Sequence, residues 1–440
     1  MTSNKEILKL AGPIVLGNVS QMALGLIDTA MVGQVGAKHL AASSLVLALL
    51  GIPFVLGIGI TTAIGPLVAE ANAAQDPKKV GKIAWLGFIL TLTLSTFIVT
   101  GTEFASEIVF SMDQDREVAD LAHPFFRLIN FSLLPMLLFL ALKQFADGLE
   151  FTKFAMALSI GSIPLNAALN WIFIYGNLGF EPMGLTGAGL GTLITRIIIL
   201  VCMFAFVLKH PKFAPFRSYF FTSLRDRGIS ISILKIGIPA GIQYLVEVAA
   251  FSLSGIMAGW ISAEAQASHQ IALSLASTTY MISIGLAVAG GIKVAEALGR
   301  KDATDLRNIN KKVIRMSLFW GGLCALFFIG FRNFLPQWFT TDENVIKTAS
   351  LLLIWAAIFQ IGDSVQANAA GLMRGRQEMK FPTYFVIFAY WVITIPLCYF
   401  LGFTQNGGIE GIWIGLSLGL TLAAIGLTWK TLNFRKSLEA

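Results

Sequence analysis

Long apolar stretches follow one another along this chain, and short polar segments separate them. An α-helix needs about 20 apolar residues to cross about 30 Å of hydrocarbon, and these stretches are at least that long. Hydropathy and loop signals together predict twelve spans. Their limits are residues 8–32, 45–71, 84–109, 124–145, 154–177, 184–208, 233–258, 266–292, 313–335, 346–370, 380–402 and 409–431. We therefore expect an all-α membrane protein.

The composition agrees with this interpretation, since 55% of the 440 residues are hydrophobic and only 13% are charged. Such a chain is too apolar for an ordinary soluble domain, and twelve spans leave no room for a large one. The first span follows Lys5 and Lys9 as a signal peptide would, but it continues to about Val32 without a cleavage site, so we expect it to be retained. The three cysteines lie in apolar segments and are interpreted as packing residues.

The basic residues indicate the orientation. With both termini in the cytoplasm, five of the 32 lysines and arginines lie outside and Arg196 lies in a span, which leaves 26 inside. An outer loop of the first half is acidic, with Asp113, Asp115, Glu117 and Asp120. The positive-inside rule thus explains the net charge of +7 without a nucleic-acid partner, and specific lipid binding is the alternative. Short termini and loops favour a bacterial inner membrane.

The two halves of the chain are homologous. A shift of 226 positions aligns residues 10–33 with 236–259, and the same shift pairs the tripeptide 68–70 with 294–296. Because each half has an even number of spans, the repeat is parallel, which is typical of alternating-access transporters. We expect two pseudo-symmetric six-helix lobes around a central cleft, with limits at residues 1–208 and 233–440 and a cytoplasmic connector at residues 209–232.

Three acids lie deep in predicted spans, namely Asp28 in span 1, Glu247 in span 7 and Asp363 in span 10. A charge at mid-membrane costs roughly 2.5 to 3.5 kcal/mol, so each needs a reason. Burial disfavours the ionised form of a carboxyl group, which makes Asp28 a candidate proton carrier; the alternative is a cap on a backbone amide. Glu247 and Asp363 are candidates to coordinate a cation or share a proton. An ion pair is less favoured there, because we find no basic residue at similar depth in the second half.

Polar residues in spans 5 and 6 are candidate partners of Asp28. Asn166 and Asn170 lie one helical turn apart and can donate amide hydrogen bonds to a carboxylate, although such pairs also join helices. Thr192 is a third candidate. Arg196 either balances an acid of the first half or has a purely structural role.

The early part of span 1 contains two hinge candidates. Pro13 lacks a backbone donor and Gly17 is flexible, so a bend there is possible and would move Asp28. Some of the 34 phenylalanines and 13 methionines must line any central cavity, where aromatic faces would suit lipophilic cations.

At these motifs the sequence resembles the multidrug and toxic compound extrusion family. The residues that carry the resemblance are Pro13, Asp28 with Thr29, the Met-Val-Gly run at 31–33, the Pro-Leu-Asn run at 164–166, Asn170 and the Gly-Leu-Met-Arg-Gly run at 371–375. The resemblance covers both halves and implies a proton site at Asp28 and a cation site at Glu247 with Asp363. Those last two acids are similar to the NorM-type branch rather than the DinF-type branch. Some members carry a second acid in span 5, where this chain has Asn170.

The resemblance implies secondary active efflux of lipophilic, often cationic small molecules by antiport with H⁺ or Na⁺, without a cofactor. The sequence contains no GxxxxGKS or GxxxxGKT loop for ATP, and its four histidines are scattered, so we expect no enzyme. The alternative is a lipid or lipid-linked glycan flippase of the same superfamily architecture, which would need a strongly cationic cavity. A receptor or scaffold is disfavoured by the repeat and the buried acids. The expected partners are small-molecule drugs or toxic cations and membrane lipid, and we expect a monomer.

Overall fold

The part of the chain that the structure describes folds into twelve helices that are long and apolar enough to cross a membrane. A computed structural model describes residues 1–111, 115–220 and 226–433. Asp113, residues 221–225 of the predicted connector and residues 434–440 lie outside the described residues. The prediction of twelve spans is confirmed, and the protein is an integral multi-pass membrane protein.

The first half contains α1 (Asn4–Val35), α2 (Ala37–Ala73), α3 (Pro77–Phe104), α4 (Arg116–Gly148), α5 (Thr152–Tyr175) and α6 (Gly184–Lys209). The second half contains α7 (Arg227–Ile261), α8 (Ala263–Gly299), α9 (Ala303–Phe331), α10 (Glu343–Gly375), α11 (Lys380–Thr404) and α12 (Gly408–Leu432). Helix α11 includes π-helical turns at Phe388–Thr394 and Phe400–Thr404. Shorter elements are the 3₁₀ turns Ser106–Ser111, Pro211–Phe213 and Leu335–Trp338 and the helical turn Ala214–Arg217.

Most helices extend beyond the predicted spans, because helices continue past the hydrocarbon core while hydropathy falls. Three helices instead end before their predicted limits, namely α3 at Phe104, α9 at Phe331 and α5 at Tyr175. Gly176 adopts φ 74° there and closes the helix with a left-handed turn, which glycine adopts without steric cost.

The internal repeat is visible in the backbone. Gln75 in the α2–α3 loop has φ 57°, and Lys301, 226 positions later in the α8–α9 loop, also has φ 57°. The next residue in each loop is an aspartate that caps the following helix. Asp76 and Asp302 each accept the backbone N–H three residues further on, at 2.9 and 2.8 Å. Non-glycine residues rarely adopt positive φ, so its recurrence at equivalent positions supports a common origin of the two halves.

The same helix crossing also recurs in both halves. A Cβ atom on Gly148 of α4 would lie 2.5 Å from the carbonyl oxygen of Gly65 in α2. Gly375 of α10 meets Gly291 of α8 in the same way. Small residues allow such backbones to approach closely. Each half therefore requires glycine where its second and fourth helices cross.

The described chain forms two compact units. The N-terminal unit is Leu16–Gly241, and the C-terminal unit is Met1–Val15 with Ile242–Ala440. Their limits fall within α1 and α7, at positions 226 residues apart. In the N-terminal unit Gly59 of α2 packs on Gly241 of α7, and in the C-terminal unit the equivalent Gly285 of α8 packs on Val15 of α1. The limits at residues 1–208 and 233–440, with a connector at residues 209–232, stay a prediction. The pseudo-symmetric lobes around a central cleft stay a prediction.

The described part of the connector packs against the N-terminal unit. Phe213, Phe216 and Phe220 are buried, and their rings contact Phe145 of α4 with centroid separations of 5.4, 6.4 and 6.1 Å. At its far end, Lys82 Nζ of α3 donates to Asp226 Oδ2 at 2.9 Å. The connector is therefore held at its aromatic turn and at its last residues.

Candidate functional site

Asp28 lies on α1 and accepts hydrogen bonds from α5 and α6 within the N-terminal unit. Asn170 Nδ2 donates to Asp28 Oδ1 at 2.6 Å, and Thr192 Oγ1 donates to Asp28 Oδ2 at 3.2 Å. The predicted contacts of Asp28 with Asn170 and Thr192 are thus present. Both oxygens of the half-buried carboxyl group have a neutral donor, which is how a buried carboxylate is stabilised.

The asparagine pair extends this network along α5. Asn166 Oδ1 accepts from Asn170 Nδ2 at 3.3 Å, and both side chains are fully buried. Among the described residues, Asn166 Nδ2 and Asn170 Oδ1 have no hydrogen-bond partner. Buried polar groups normally have partners, but Asn170 Oδ1 instead packs against Gly191 of α6, where a Cβ atom would lie 2.4 Å from it.

Arg196 meets both of the roles that we considered for it. Its Nη1 donates to Ser132 Oγ of α4 at 2.6 Å, which is a structural contact. Its guanidinium also interacts electrostatically with the Asp28 carboxylate. The charge of Asp28 is therefore balanced within its own unit.

Glu247 on α7 is the centre of a second polar cluster, in the C-terminal unit. Its Oε1 accepts from Gln243 Nε2 at 2.9 Å and from Gln366 Nε2 at 3.0 Å. Gln366 Oε1 in turn accepts from Tyr390 Oη at 3.1 Å. Tyr390 lies in the first π-helical turn of α11, and such turns are frequent at functional sites. Three helices therefore hold the Glu247 carboxylate.

Asp363 belongs to the same cluster. It lies on α10 three residues before Gln366 and, like Glu247, is only 8% exposed. The Asp363 and Glu247 carboxylates interact electrostatically, and both act on the Tyr280 hydroxyl of α8. The structure thus brings together the two acids that the sequence paired, with oxygen atoms of the type that hard monovalent cations or protons bind.

A basic residue accompanies these acids, contrary to our prediction for the second half. Arg374 is only 6% exposed, its guanidinium lies 5.2 Å from the centroid of the Tyr244 ring, and it interacts electrostatically with Glu247. The prediction was wrong because we ended span 10 at residue 370, whereas α10 continues to Gly375. Its last turn carries Arg374 into the interior of the unit.

Comparison with known proteins identifies the family. A model of the MatE family matches residues 13–172 and 239–400. The chain belongs to the MatE family. It is 30% identical over 431 residues to the multidrug resistance protein NorM of Photobacterium profundum, with 97% of this chain and 94% of that protein covered. It is 31% identical over 432 residues to the probable multidrug resistance protein NorM of Rhodopseudomonas palustris, with 97% and 90% covered.

Solved structures agree on the fold. The crystal structure of the eukaryotic MATE transporter AtDTX14 superposes with a TM-score of 0.89, at 20% identity, over 98% of this chain and 96% of that one. At that identity the likeness shows the fold alone. The predicted resemblance to the NorM-type branch is confirmed by the curated relatives, which are named as resistance proteins rather than as enzymes.

Sequence reasoning missed several polar residues of this MatE chain. Gln243, Gln366 and Tyr390 complete the Glu247 cluster, and none was singled out. The available signal was the spacing of Gln243 and Glu247, four residues apart on one helix face. The link to Gln366 and Tyr390 crosses between helices and leaves no local trace in the sequence.

A buried ion pair was missed as well. Lys143 Nζ donates to Asp147 Oδ2 at 2.7 Å on α4, and both side chains are buried. The i, i+4 spacing of the opposite charges was the signal.

The hinge candidates lie on either side of the boundary between the compact units. Helix α1 is continuous from Asn4 to Val35, and the boundary falls between Val15 and Leu16. Pro13 precedes this boundary and Gly17 follows it. Their role as a hinge stays a prediction.

Proposed function

We propose that this MatE-family transporter exports lipophilic, often cationic small molecules by antiport with H⁺, Na⁺ or both. It works in a bacterial inner membrane with both termini in the cytoplasm. The observation that carries the proposal is the cluster of two buried acids, Glu247 and Asp363, in which neutral amide donors hold Glu247. The names of its curated relatives support drugs as the cargo.

The mechanism that we propose couples ion binding to drug release. A cation at Glu247 with Asp363, a proton at Asp28, or both favour an arrangement with weak drug affinity, so that cargo leaves outward. The lobes, now without cargo, then return to the inward-facing arrangement. One monovalent cation moving inward at ~150 mV supplies roughly 3.5 kcal/mol, which supports a gradient of a neutral substrate of about a few hundred-fold.

The test is transport by the purified protein in liposomes. Ethidium movement is followed under an imposed proton or sodium gradient for the wild type, Asp28→Asn and Glu247→Gln. Glu410→Gln serves as the matched control, because Glu410 is an exposed acid in the first turn of α12. We expect gradient-driven movement in the wild type and the control and its loss in at least one of the other variants. Wild-type rates in both Asp28→Asn and Glu247→Gln, and in the double variant, would refute the coupling role.

A lipid or lipid-linked glycan flippase is the competing function. Its cargo carries phosphate, which requires an excess of positive charge at the binding site. The cluster around Glu247 has two acids for one buried arginine, which disfavours such cargo. Absence of dye movement under either gradient, in folded protein, would favour the flippase.

A further inference from the structure

The charged groups of the C-terminal cluster do not balance. Glu247 and Asp363 are acids that act on each other electrostatically, and Arg374 is the basic group that acts on Glu247. A guanidinium keeps its proton under all conditions that proteins experience. With both acids ionised, these three groups therefore carry a net charge of −1.

The geometry ties Arg374 to this cluster independently of that electrostatic link. Its guanidinium lies 5.2 Å from the centroid of the Tyr244 ring, and Tyr244 precedes Glu247 by three residues on α7, which places the two side chains on one face. On α10, Asp363 and Arg374 are eleven residues apart, so they share a face but lie about 16 Å apart along the helix, and Glu247 is the acid that links them. Among the described residues, Arg374 Nε has no hydrogen-bond partner. The buried arginine thus lies against Tyr244, about one turn from Glu247, and its Nε is not bonded to another group.

The N-terminal unit differs, because its buried acids each have a cation. Asp28 interacts electrostatically with Arg196, and Asp147 accepts from Lys143 at 2.7 Å. Neither pair needs a further cation for neutrality.

We propose that Arg374 is the fixed counter-charge that limits the site at Glu247 and Asp363 to one monovalent cation in each transport cycle. This inference rests on the proposed antiport function and specifies its stoichiometry and ion selectivity. One Na⁺ or one proton neutralises the cluster. A second monovalent cation, or one divalent cation, would leave an uncompensated positive charge in a buried site, which is costly.

The charge-neutral variant Arg374→Gln removes this limit. Its cluster carries a net charge of −2, so it accepts two monovalent cations or one divalent cation. Arg374→Lys keeps the charge and is the matched control, although it loses the planar stacking of the guanidinium on Tyr244.

The number of cations per drug molecule is measured in liposomes as a reversal potential. Opposing drug and ion gradients are imposed, the membrane potential is varied, and the potential of zero net drug flux gives the coupling ratio. We expect one cation per drug for the wild type and Arg374→Lys and two for Arg374→Gln. A ratio of one in active Arg374→Gln, or of two in the wild type, would overturn the proposal. If the wild type shows no ion-driven flux at all, the proposed function itself fails.

Direct binding covers the case in which Arg374→Gln folds but does not transport. Folded protein in detergent, checked by size-exclusion chromatography, is dialysed against radioactive sodium or calcium, and protons taken up or released are counted in parallel. We expect one positive charge bound by the wild type and Arg374→Lys, and two, with calcium retained, by Arg374→Gln. Equal charge uptake and no calcium binding in all three proteins would refute the role of Arg374.

Discussion

Replacing Gln366 by leucine tests whether the hydrogen bonds to Glu247 tune the affinity for the coupling ion. Gln366 Nε2 donates to Glu247 Oε1 at 3.0 Å, and a hydrogen bond to a charged group contributes about 1.5 to 3 kcal/mol. This donor stabilises the ion-free carboxylate. Its loss should therefore raise the affinity for the coupling cation by about 10- to 150-fold, since 1.4 kcal/mol corresponds to a factor of ten.

The matched control is Gln360→Leu on the same helix. Gln360 is also fully buried, but its Nε2 donates to Thr279 Oγ1 at 2.6 Å and not to an acid. Both variants should lose stability, because each removes a buried hydrogen bond. Gln366→Leu also leaves the buried Tyr390 hydroxyl without its acceptor, at a cost of about 1 to 3 kcal/mol. Only Gln366→Leu should change ion affinity.

The assay is drug efflux from proteoliposomes as a function of ion concentration. For Gln366→Leu the half-maximal ion concentration should fall at least ten-fold, and the maximal rate should fall because the ion leaves more slowly. Gln360→Leu should keep the wild-type half-maximal concentration. If the two variants show the same half-maximal concentration and differ only in melting temperature, the Gln366 bond does not act on the ion site and this reasoning is refuted.

Three further outcomes are expected. Asn170→Leu removes the 2.6 Å bond to Asp28, worth about 1.5 to 3 kcal/mol, and should reduce dye efflux about ten-fold or more; efflux at the wild-type rate would contradict a role for this network. Gly148→Ala places a Cβ atom 2.5 Å from a backbone oxygen, which should lower the free energy of unfolding by about 1 to 3 kcal/mol. The measurement is a lower melting temperature in detergent. The control Gly161→Ala adds a Cβ atom with nothing within 4 Å and should not destabilise the fold. The Lys82 ammonium and a backbone N–H hold the pKa of Asp226 below its ordinary value of 3.8. The ion pair therefore stabilises the fold above that pH, by at most about 1 kcal/mol, and the contribution disappears as the pH falls below it. Melting temperatures of Asp226→Asn and the wild type should converge at the acidic end, and a constant difference at all pH values would argue against the ion pair.

The membrane fold follows directly from the sequence. Twelve spans can be located because lipid requires every backbone polar group to be bonded within its own helix, so a long apolar stretch has essentially one solution. The 226-residue repeat can likewise be detected from the sequence, since it is a property of the order of residues. The structure adds equivalent features that the alignment had not singled out, such as the loops at Gln75 and Lys301.

The acids were also identified from the sequence, because a carboxyl group in an apolar span is expensive and therefore rare. Asp28, Glu247 and Asp363 needed no structure to be chosen. Asn170 could be proposed as a partner because its spacing from Asn166 places two amides on one face.

Only the tertiary structure decided which groups surround those acids and where the compact units divide. Gln366, Tyr390 and Arg374 reach the cluster from helix faces that the sequence cannot orient, and Arg374 was mistaken for a loop residue because hydropathy ends before the helix does. The division within α1 depends on the close packing of Val15 and Gly285, residues 270 positions apart. Sequence patterns report the cost of placing one side chain in lipid, whereas these features depend on contacts between distant segments, which the pattern along one helix does not contain.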